Sequence, residues 1–148
     1  MSFMNVIDSG RVFLDTNIIV YAHDLDEPRK QTIAKNILSC TLRKRRGVIS
    51  AQVMGETFVS LIKKIGIEPA DATDEICKLT RFRVIDLSKA LVMRGLEIKA
   101  SFGLSYWDAL IIAAAERASC PVVFSEDLSD GQQYGIVTVV NPFNALNR

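Results

Sequence analysis

The sequence has few of the residues that build disulfide frameworks, zinc sites and catalytic triads. Its three cysteines, Cys40, Cys77 and Cys120, are far apart and show no Cys-x-x-Cys spacing. An odd number of widely separated cysteines predicts reduced thiols in a cytoplasmic protein. The single histidine, His23, makes a catalytic triad or a histidine-rich metal site unexpected. Glycine-rich loops of the kinds that bind nucleotides are absent as well.

The chain also lacks a large net charge and a long hydrophobic run. Its 18 lysines and arginines nearly balance its 17 acids, so any contact with nucleic acid must come from a local patch or a bound metal. The most apolar run, residues 109–115, is too short to cross a bilayer, and the amino terminus has no signal-like segment. We therefore expect no membrane association. The length suits one domain, residues 1–148.

Predicted strands and helices alternate along the whole chain. Strands are predicted over residues 11–15, 47–50, 82–87, 121–125 and 136–140, and helices over 28–46, 50–65, 88–103 and 105–119, with a further helix opening at Pro69. Such alternation predicts an α/β fold, a three-layer α/β/α domain with a central parallel sheet. The helix over 105–119 is apolar almost all round. Because a small domain should not expose such a helix, it also predicts self-association, most simply as a two-fold homodimer.

The helix over 50–65 carries apolar residues at helical spacing, which predicts the side that faces the core. This stripe consists of Met54, Phe58, Leu61, Ile62 and Ile65. Gly55 lies inside the same helix, where glycine costs about 1 kcal/mol relative to alanine. Its presence suggests that some other group approaches the backbone closely at this position.

Two predicted strands end in acidic side chains. Asp15 follows one short apolar run and Asp127 follows another. Ligands and catalytic groups collect at the carboxyl ends of parallel strands, so both acids are candidate site residues. Simpler interpretations stay open for each of them. Asp15 or Asn17 can cap the following helix, and Asp127 can belong to a solvated acidic turn in which Glu126 and Asp130 compete for the same role.

Asp108 and Glu56 are two further candidates. Asp108 precedes Ile111 and Ile112 by three and four residues, so its carboxylate should share an apolar surface and need a partner or a cation. The Ser105-x-x-Asp108 spacing also fits a helix-capping box. Glu56 lies opposite the apolar stripe of its helix, and a solvated polar face explains it fully from the residues alone.

The only dense basic cluster in the sequence is formed by Arg43, Lys44, Arg45 and Arg46. Cations in the last turn of a helix interact favourably with its dipole and its free carbonyl groups, which is a sufficient explanation. Contact with RNA phosphates, or with an acidic inhibitor tail, is the alternative.

The ordered set of acidic segments resembles the PIN-domain family of nucleases, particularly the VapC-like toxins of toxin–antitoxin pairs. The similarity covers essentially the whole chain. The matching segments are Leu14-Asp15-Thr16-Asn17, residues 52–58, Ser105-Tyr106-Trp107-Asp108-Ala109-Leu110-Ile111, Ser125-Glu126-Asp127-Leu128 and the closing residues 139–143.

The resemblance implies the strand order 3-2-1-4-5, which places the ends of the first and fourth strands side by side. It also implies one catalytic site formed by Asp15, Glu56, Asp108 and Asp127. In that site Asp15, Asp108 and Asp127 bind a metal ion, and Glu56 binds it directly or through water. Asp127 is the matched position of the fourth acid, with Glu126 directly beside it.

Three polar residues of the matching segments, Thr16, Asn17 and Ser125, could orient ligands or waters around this site. Clustered carboxylates repel one another, so some protonate unless a cation neutralises them. Oxygen-only ligands favour Mg²⁺ or Mn²⁺ over zinc. Such an ion can polarise a phosphate and lower the pKa of an attacking water.

The resulting hypothesis is a metal-dependent endoribonuclease that hydrolyses single-stranded or looped RNA. The resemblance implies 5′-phosphate and 3′-hydroxyl products and a small antitoxin protein that inserts into or near the acidic cleft. A phosphatase that forms an aspartyl phosphate is one rival, but it needs a second aspartate where this chain has Asn17. The other rival is a non-catalytic PIN-like module that binds RNA or protein.

Overall fold

The computed structural model describes residues 2–144. Its helices are α1 (Phe3–Ser9), α2 (Thr16–Tyr21), α3 (Pro28–Arg43), α4 (Ala51–Ser60), α5 (Pro69–Leu79), α6 (Lys89–Phe102) and α7 (Tyr106–Arg117), and α4 continues as a π-helical segment, Leu61–Ile65. Its strands are β1 (Val12–Leu14), β2 (Gly47–Ser50), β3 (Arg83–Ile85), β4 (Val122–Phe124), β5 (Gln133–Tyr134) and β6 (Val137–Val140). Within this described part of the chain, no helix combines the length and the apolar character needed to cross a membrane.

The strands form one sheet in the order β3-β2-β1-β4-β6-β5. The strands β3, β2, β1, β4 and β6 are parallel and follow the predicted order, since the predicted fifth strand is β6. The observed order differs only by β5, a two-residue strand that was not predicted and pairs antiparallel with β6. Because β1 and β4 are neighbours, the residues that follow them leave the sheet side by side.

Helices cover both faces of the sheet, which confirms the three-layer architecture. Helices α2 to α5 pack on one another and α6 packs on α7, as expected when right-handed crossovers place the two groups on opposite faces of a parallel sheet. Helix α7 packs on β2, β4 and β6 and is itself covered by α6. The two helices approach so closely at Gly95 that a Cβ there would lie 2.9 Å from Leu110 Cδ2.

The apolar helix α7 is buried within its own chain. Every residue from 109 to 115 is buried, because α7 lies between the sheet and α6. The sequence argument that this helix needs a second copy of the chain to cover it is therefore wrong. The homodimer itself stays a prediction.

Helix α3 ends earlier than predicted, at Arg43 rather than Arg46. Arg45 adopts a left-handed conformation with φ 56°, and the Arg46 N–H donates to the carbonyl of Thr41. Gly47 is not the helix stop, because it already begins β2. A Cβ on Gly47 would lie 2.6 Å from the Phe82 ring, and this close approach explains the glycine.

The buried side of α4 is shifted by one position in the sequence, because Val53 and Thr57 are buried where Met54 and Phe58 were predicted. Val53, Thr57 and Leu61, spaced four apart, are fully buried, whereas most of the predicted stripe is only half-buried. Gly55 is exposed, and within residues 2–144 no group outside its own helix lies within 4 Å of a Cβ built there, so the suggested close approach to its backbone is wrong.

Candidate active site

Asp15 combines the two roles that its position in the sequence suggests. It is the N-cap of α2, and its Oδ1 accepts a hydrogen bond from the Thr16 N–H at 2.7 Å. Its Oδ2 accepts from the Ser125 hydroxyl at 2.7 Å. Only 5% of the residue is exposed. The carboxylate is therefore held rigidly at the carboxyl end of β1, with one edge facing a cavity.

Burial raises the pKa of the Asp15 carboxyl to about 6. Loss of hydration disfavours the charged form, and the neighbouring charges of Asp127 and Glu56 act in the same direction. The hydrogen bonds from Ser125 and Thr16 oppose this shift but do not cancel it. Asp15 is thus a carboxylate whose ionised form would gain from a nearby cation.

Asn17 and Ser125 link the ends of β1 and β4. The Asn17 amide nitrogen lies 3.4 Å from Asp15 Oδ2 and donates to Asp127 Oδ2 at 3.1 Å. The Asn17 amide oxygen accepts from the Glu126 N–H at 3.1 Å, and the Ser125 hydroxyl accepts from the Asp127 N–H at 3.1 Å. These bonds fix where the exposed Asp127 carboxylate stands relative to Asp15.

Glu56 faces the same cavity from α4. Its Oε2 accepts from the Thr16 hydroxyl at 3.3 Å, and its Oε1 accepts from the Gln52 amide at 2.6 Å. The polar face of α4 that the sequence marks as solvated therefore lines the site. Thr16, expected around the acids, contacts Glu56 directly and supports Asp15 through its backbone N–H.

Asp108 reaches the cavity from the first turn of α7. The Ser105 hydroxyl accepts from the Asp108 N–H at 3.1 Å, so the serine half of the expected capping box is present. The Asp108 side chain is half-buried and lines the cavity together with Ile111, which agrees with the predicted position beside an apolar surface.

Four elements thus direct acidic side chains at one cavity of about 320 Å³. These elements are β1, α4, α7 and the loop after β4. The cavity is lined by Asp15, Thr16, Asn17, Val20, Tyr21, Gln52, Glu56, Ser60, Lys64, Trp107, Asp108, Ile111, Glu126 and Asp127.

Glu126 lines the cavity, but its negative charge is already paired with Lys30. It accepts hydrogen bonds from the Tyr21 hydroxyl at 2.6 Å and from Lys30 Nζ at 2.7 Å. Burial alone would raise the pKa of Glu126, but the bonds from Lys30 and Tyr21 outweigh it and hold the pKa below its usual value. The other competing acid, Asp130, lies outside the cavity lining and accepts from the Asn141 N–H at 2.9 Å.

The carboxylate, hydroxyl and amide oxygens that line the cavity are the kinds of ligand atoms that bind a hard divalent cation. Among residues 2–144, however, no three His, Cys, Asp or Glu side chains converge closely enough to hold one ion. Asp15 and Asp127 are bridged by the Asn17 amide, while Glu56 is turned towards Gln52. Binding an ion through several of these acids would require side-chain rotation about a fixed backbone.

The basic cluster lies away from this site. Residues 43–46 precede β2 and so stand at the amino-terminal edge of the sheet, opposite the acids. Lys44 forms an ion pair with Asp8, and Arg46 donates to the carbonyls of Ile7 and Asp8. Lys44 and Arg46 therefore connect the segment after α3 to α1.

Gln52, Ser60 and Lys64 were not candidate site residues from the sequence, but the structure brings them to the cavity. Together with Glu56 they follow one another at intervals of four residues along one helix. That spacing could have indicated from the sequence that these residues share one face of the helix. The contact of Lys30 with Glu126 joins residues 96 apart in sequence, and no sequence pattern indicates it.

The four acids lie at the carboxyl edge of a mostly parallel sheet, which is where ligands and catalytic groups collect in α/β folds. The PIN domain family model matches residues 12–129, and the chain belongs to this family. No curated protein matches the sequence closely enough to count as a relative.

Solved structures with the same fold include proteins of toxin–antitoxin pairs. VapC20 of Mycobacterium tuberculosis, described as a toxin that cleaves the sarcin-ricin loop, superposes with a TM-score of 0.65 at 22% identity over 78% of this chain and 91% of that one. A toxin–antitoxin complex from Klebsiella pneumoniae gives 0.63 at 21% identity over 88% and 97%. VapBC2 of Rickettsia felis, bound to a DNA fragment from its promoter, gives 0.65 at 18% identity over 86% and 96%.

Proposed function

We propose that this protein is a metal-dependent endoribonuclease that hydrolyses RNA phosphodiester bonds in the cytoplasm. The observation that carries the proposal is the meeting of Asp15, Glu56, Asp108 and Asp127 on one cavity from four separate elements. Membership of the PIN domain family supports nuclease chemistry. The three free cysteines agree with a reducing compartment.

The proposed metal ligands are Asp15, Asp108 and Asp127, with Glu56 binding directly or through a water. When bound, Mg²⁺ or Mn²⁺ would polarise the phosphate and lower the pKa of the attacking water. The chain's own residues position these ligands. Ser125 and the Thr16 N–H orient Asp15, and Asn17 sets the distance between Asp15 and Asp127.

Asp127 is the proposed fourth acid in preference to Glu126 and Asp130. The charge of Glu126 is compensated by Lys30, and its pKa is already lowered by that pairing. Asp130 instead accepts hydrogen bonds from the Asn141 N–H and the Asn144 side chain, outside the cavity. The Asp127 carboxylate is exposed, and among the described residues its hydrogen-bond donor is the Asn17 amide, so it retains capacity for a cation.

The proposed biological role is that of a toxin whose partner is a small antitoxin protein. Its structural neighbours include a toxin–antitoxin complex and a VapBC pair on promoter DNA, and this supports the proposal without extending to the identity of the partner. Two-fold self-association stays a prediction. Met93 and Leu96, which are exposed on α6, are two of the exposed apolar residues that such an interface could bury.

A non-catalytic module that binds RNA or protein is the second candidate function. The observation that favours it is that the acids, as they stand, do not converge on one ion position. The two candidates differ in one measurable property, because only the nuclease consumes RNA when a divalent ion is added.

The experiment is cleavage of a mixed RNA pool by the purified chain in Mg²⁺, in Mn²⁺ and in EDTA. We expect cleavage only with metal, and we expect Asp15→Asn and Asp108→Asn each to slow it on the order of a hundredfold or more. Asp74→Asn, which removes an exposed acid of α5 outside the cavity, is the matched control and should leave the rate unchanged. If both site variants cut as fast as the control, the acids are structural and a contaminating nuclease is responsible.

A further inference from the structure

The chain's one tryptophan, Trp107, is left on the surface at the rim of the acidic cavity. It is 62% exposed, although every residue from 109 to 115 of the same helix is buried. Packing of α7 therefore does not use the indole. The residue lines the cavity beside Asp108 and is one of the few non-polar groups there.

Trp107 is positioned by its neighbours on both sides. Its carbonyl accepts a hydrogen bond from the Gln52 amide at 3.1 Å, and the same amide group holds Glu56. Its ring meets the Tyr106 ring edge to face, with 5.1 Å between centroids and 69° between planes. These contacts fix the base of the residue and leave most of the indole open to solvent.

The cavity has a cationic group towards its other end. Gln52, Glu56, Ser60 and Lys64 line it at four-residue steps, from the first turn of α4 to the π-helical segment that continues it. The ammonium of Lys64 lies 5.4 Å from the centroid of the Tyr21 ring. Trp107 thus lies beside Gln52 at one end of this helical face, Lys64 lies at the other end, and Glu56 lies between them.

We propose that this face is a track for single-stranded RNA in which Trp107 stacks an unpaired base and Lys64 contacts a backbone phosphate. The identity of the ligand as RNA rests on the proposed function. Stacking on an aromatic ring tolerates any base, because every base has a π-face, and it is combined in single-strand binding sites with cations that follow the backbone. A duplex does not offer a free base face, so the arrangement selects unpaired segments.

The surroundings of Trp107 favour RNA over a protein partner. Protein-docking surfaces are built on contiguous apolar patches, whereas the side chains that line the cavity with Trp107 are mainly carboxylates, amides and hydroxyls. An exposed aromatic ring beside the carboxylates of this cavity fits a base next to a scissile phosphate better than it fits the apolar side of a partner helix.

Because Trp107 is the sole tryptophan, intrinsic fluorescence reports on this position alone. The experiment titrates the Asp15→Asn protein, which should not cleave, with a short oligo(A) in Mg²⁺ and then with the same strand annealed to oligo(U). We expect saturable quenching by the single strand and much weaker quenching by the duplex. Unchanged Trp107 fluorescence on saturation with oligo(A), or equal quenching by the strand and the duplex, would overturn the proposal.

Variants separate stacking from general binding, with affinity measured by the anisotropy of a labelled oligo(A). In the same background, Trp107→Ala should weaken binding roughly tenfold, whereas Trp107→Phe should retain most of the affinity. Lys64→Gln should weaken binding and reduce its salt dependence. Ile136→Ala, which truncates an exposed apolar residue before β6, is the control and should change nothing.

The outcomes also distinguish this inference from the nuclease proposal. If the wild-type chain cleaves RNA with Mg²⁺ but Trp107→Ala binds and cuts normally, the stacking site is wrong and the nuclease stands. If oligo(A) quenches Trp107 and the wild-type chain never cleaves, the track stands and the nuclease is wrong.

Discussion

Burial of the Asp15 carboxyl makes the stability of the metal-free protein depend on pH. Its pKa of about 6 in the folded chain lies above its ordinary value of 3.8, so between these values the folded state holds a proton that the unfolded state has lost. The contribution of Asp15 to the free energy of unfolding is therefore largest below pH 4. It falls as the pH rises towards 6 and then levels off. The full cost of ionising Asp15 amounts to about 3 kcal/mol at roughly 1.4 kcal/mol per pKa unit.

Asp15→Asn should remove this dependence. We expect the stability of the variant relative to the wild type to grow between about pH 4 and pH 6.5, and addition of Mg²⁺ to reduce the difference because a cation favours the ionised aspartate. Urea unfolding of both proteins in EDTA across this range measures it. A difference that stays constant with pH would show that Asp15 does not titrate abnormally.

Thr57 is the second residue at which a stability change can be predicted. Its hydroxyl oxygen is buried and has no hydrogen-bond partner within residues 2–144. Replacing it by the nearly isosteric valine removes an unsatisfied polar group, which should stabilise the fold by about 1 kcal/mol. Thermal unfolding of Thr57→Val measures the change. A loss of stability would show that the hydroxyl is hydrogen-bonded in solution.

At the scale of elements, two helical glycines differ in the space around them. Gly55 on α4 has open space where a Cβ would stand, whereas a Cβ on Gly95 of α6 would lie 2.9 Å from Leu110 Cδ2. Gly55→Ala should therefore stabilise the protein by about 1 kcal/mol through helix propensity alone. Gly95→Ala should gain less or lose, because Leu110 must move.

Denaturant midpoints of the two glycine variants provide the comparison. Equal stabilisation by both substitutions would contradict the close packing of α6 on α7. A loss of stability in Gly55→Ala would instead show that the space next to Gly55, which is open in the structure, is occupied in solution.

Sequence patterns predict the elements that carry strong periodicity or a cap. Ser88 begins α6 and Ser105 begins α7 as expected, each accepting a hydrogen bond in the first turn. Helix α1 is missed because seven residues are too few for a periodic pattern. The buried side of α4 is misjudged because Val53 and Thr57, rather than the bulkier Met54 and Phe58, face the core. Shape at the packing interface decides this, and hydrophobicity alone does not encode it.

At the scale of the whole molecule, the sheet order brings the candidate site together. Asp15 and Asp127 are predictable because β1 and β4 are adjacent and parallel, so their ends share one edge. Glu56 is not predictable from polarity, since a solvated helix face explains it equally well, and only the family resemblance assigns it. The neutralisation of Glu126 by Lys30 depends on a contact between distant residues that only the folded chain reveals.

The residue types that line the cavity bear on how the proposed ribonuclease would cut RNA. The cavity contains no histidine among the described residues, and His23 instead lies 3.8 Å from Glu75. A base of that kind, acting on the 2′-hydroxyl of RNA, would leave a 2′,3′-cyclic phosphate. Clustered carboxylates are suited instead to a metal ion and an attacking water.

Analysis of the ends of the RNA products is therefore the most direct test of the central claim. The purified wild-type chain is given an end-labelled RNA in Mg²⁺ and water enriched in oxygen-18, beside the Asp15→Asn variant. The account predicts 3′-hydroxyl ends and 5′-phosphates that carry the heavy oxygen, formed only with metal and only by the wild type. Cyclic phosphate ends, or cleavage that continues in EDTA or in the variant, would contradict it.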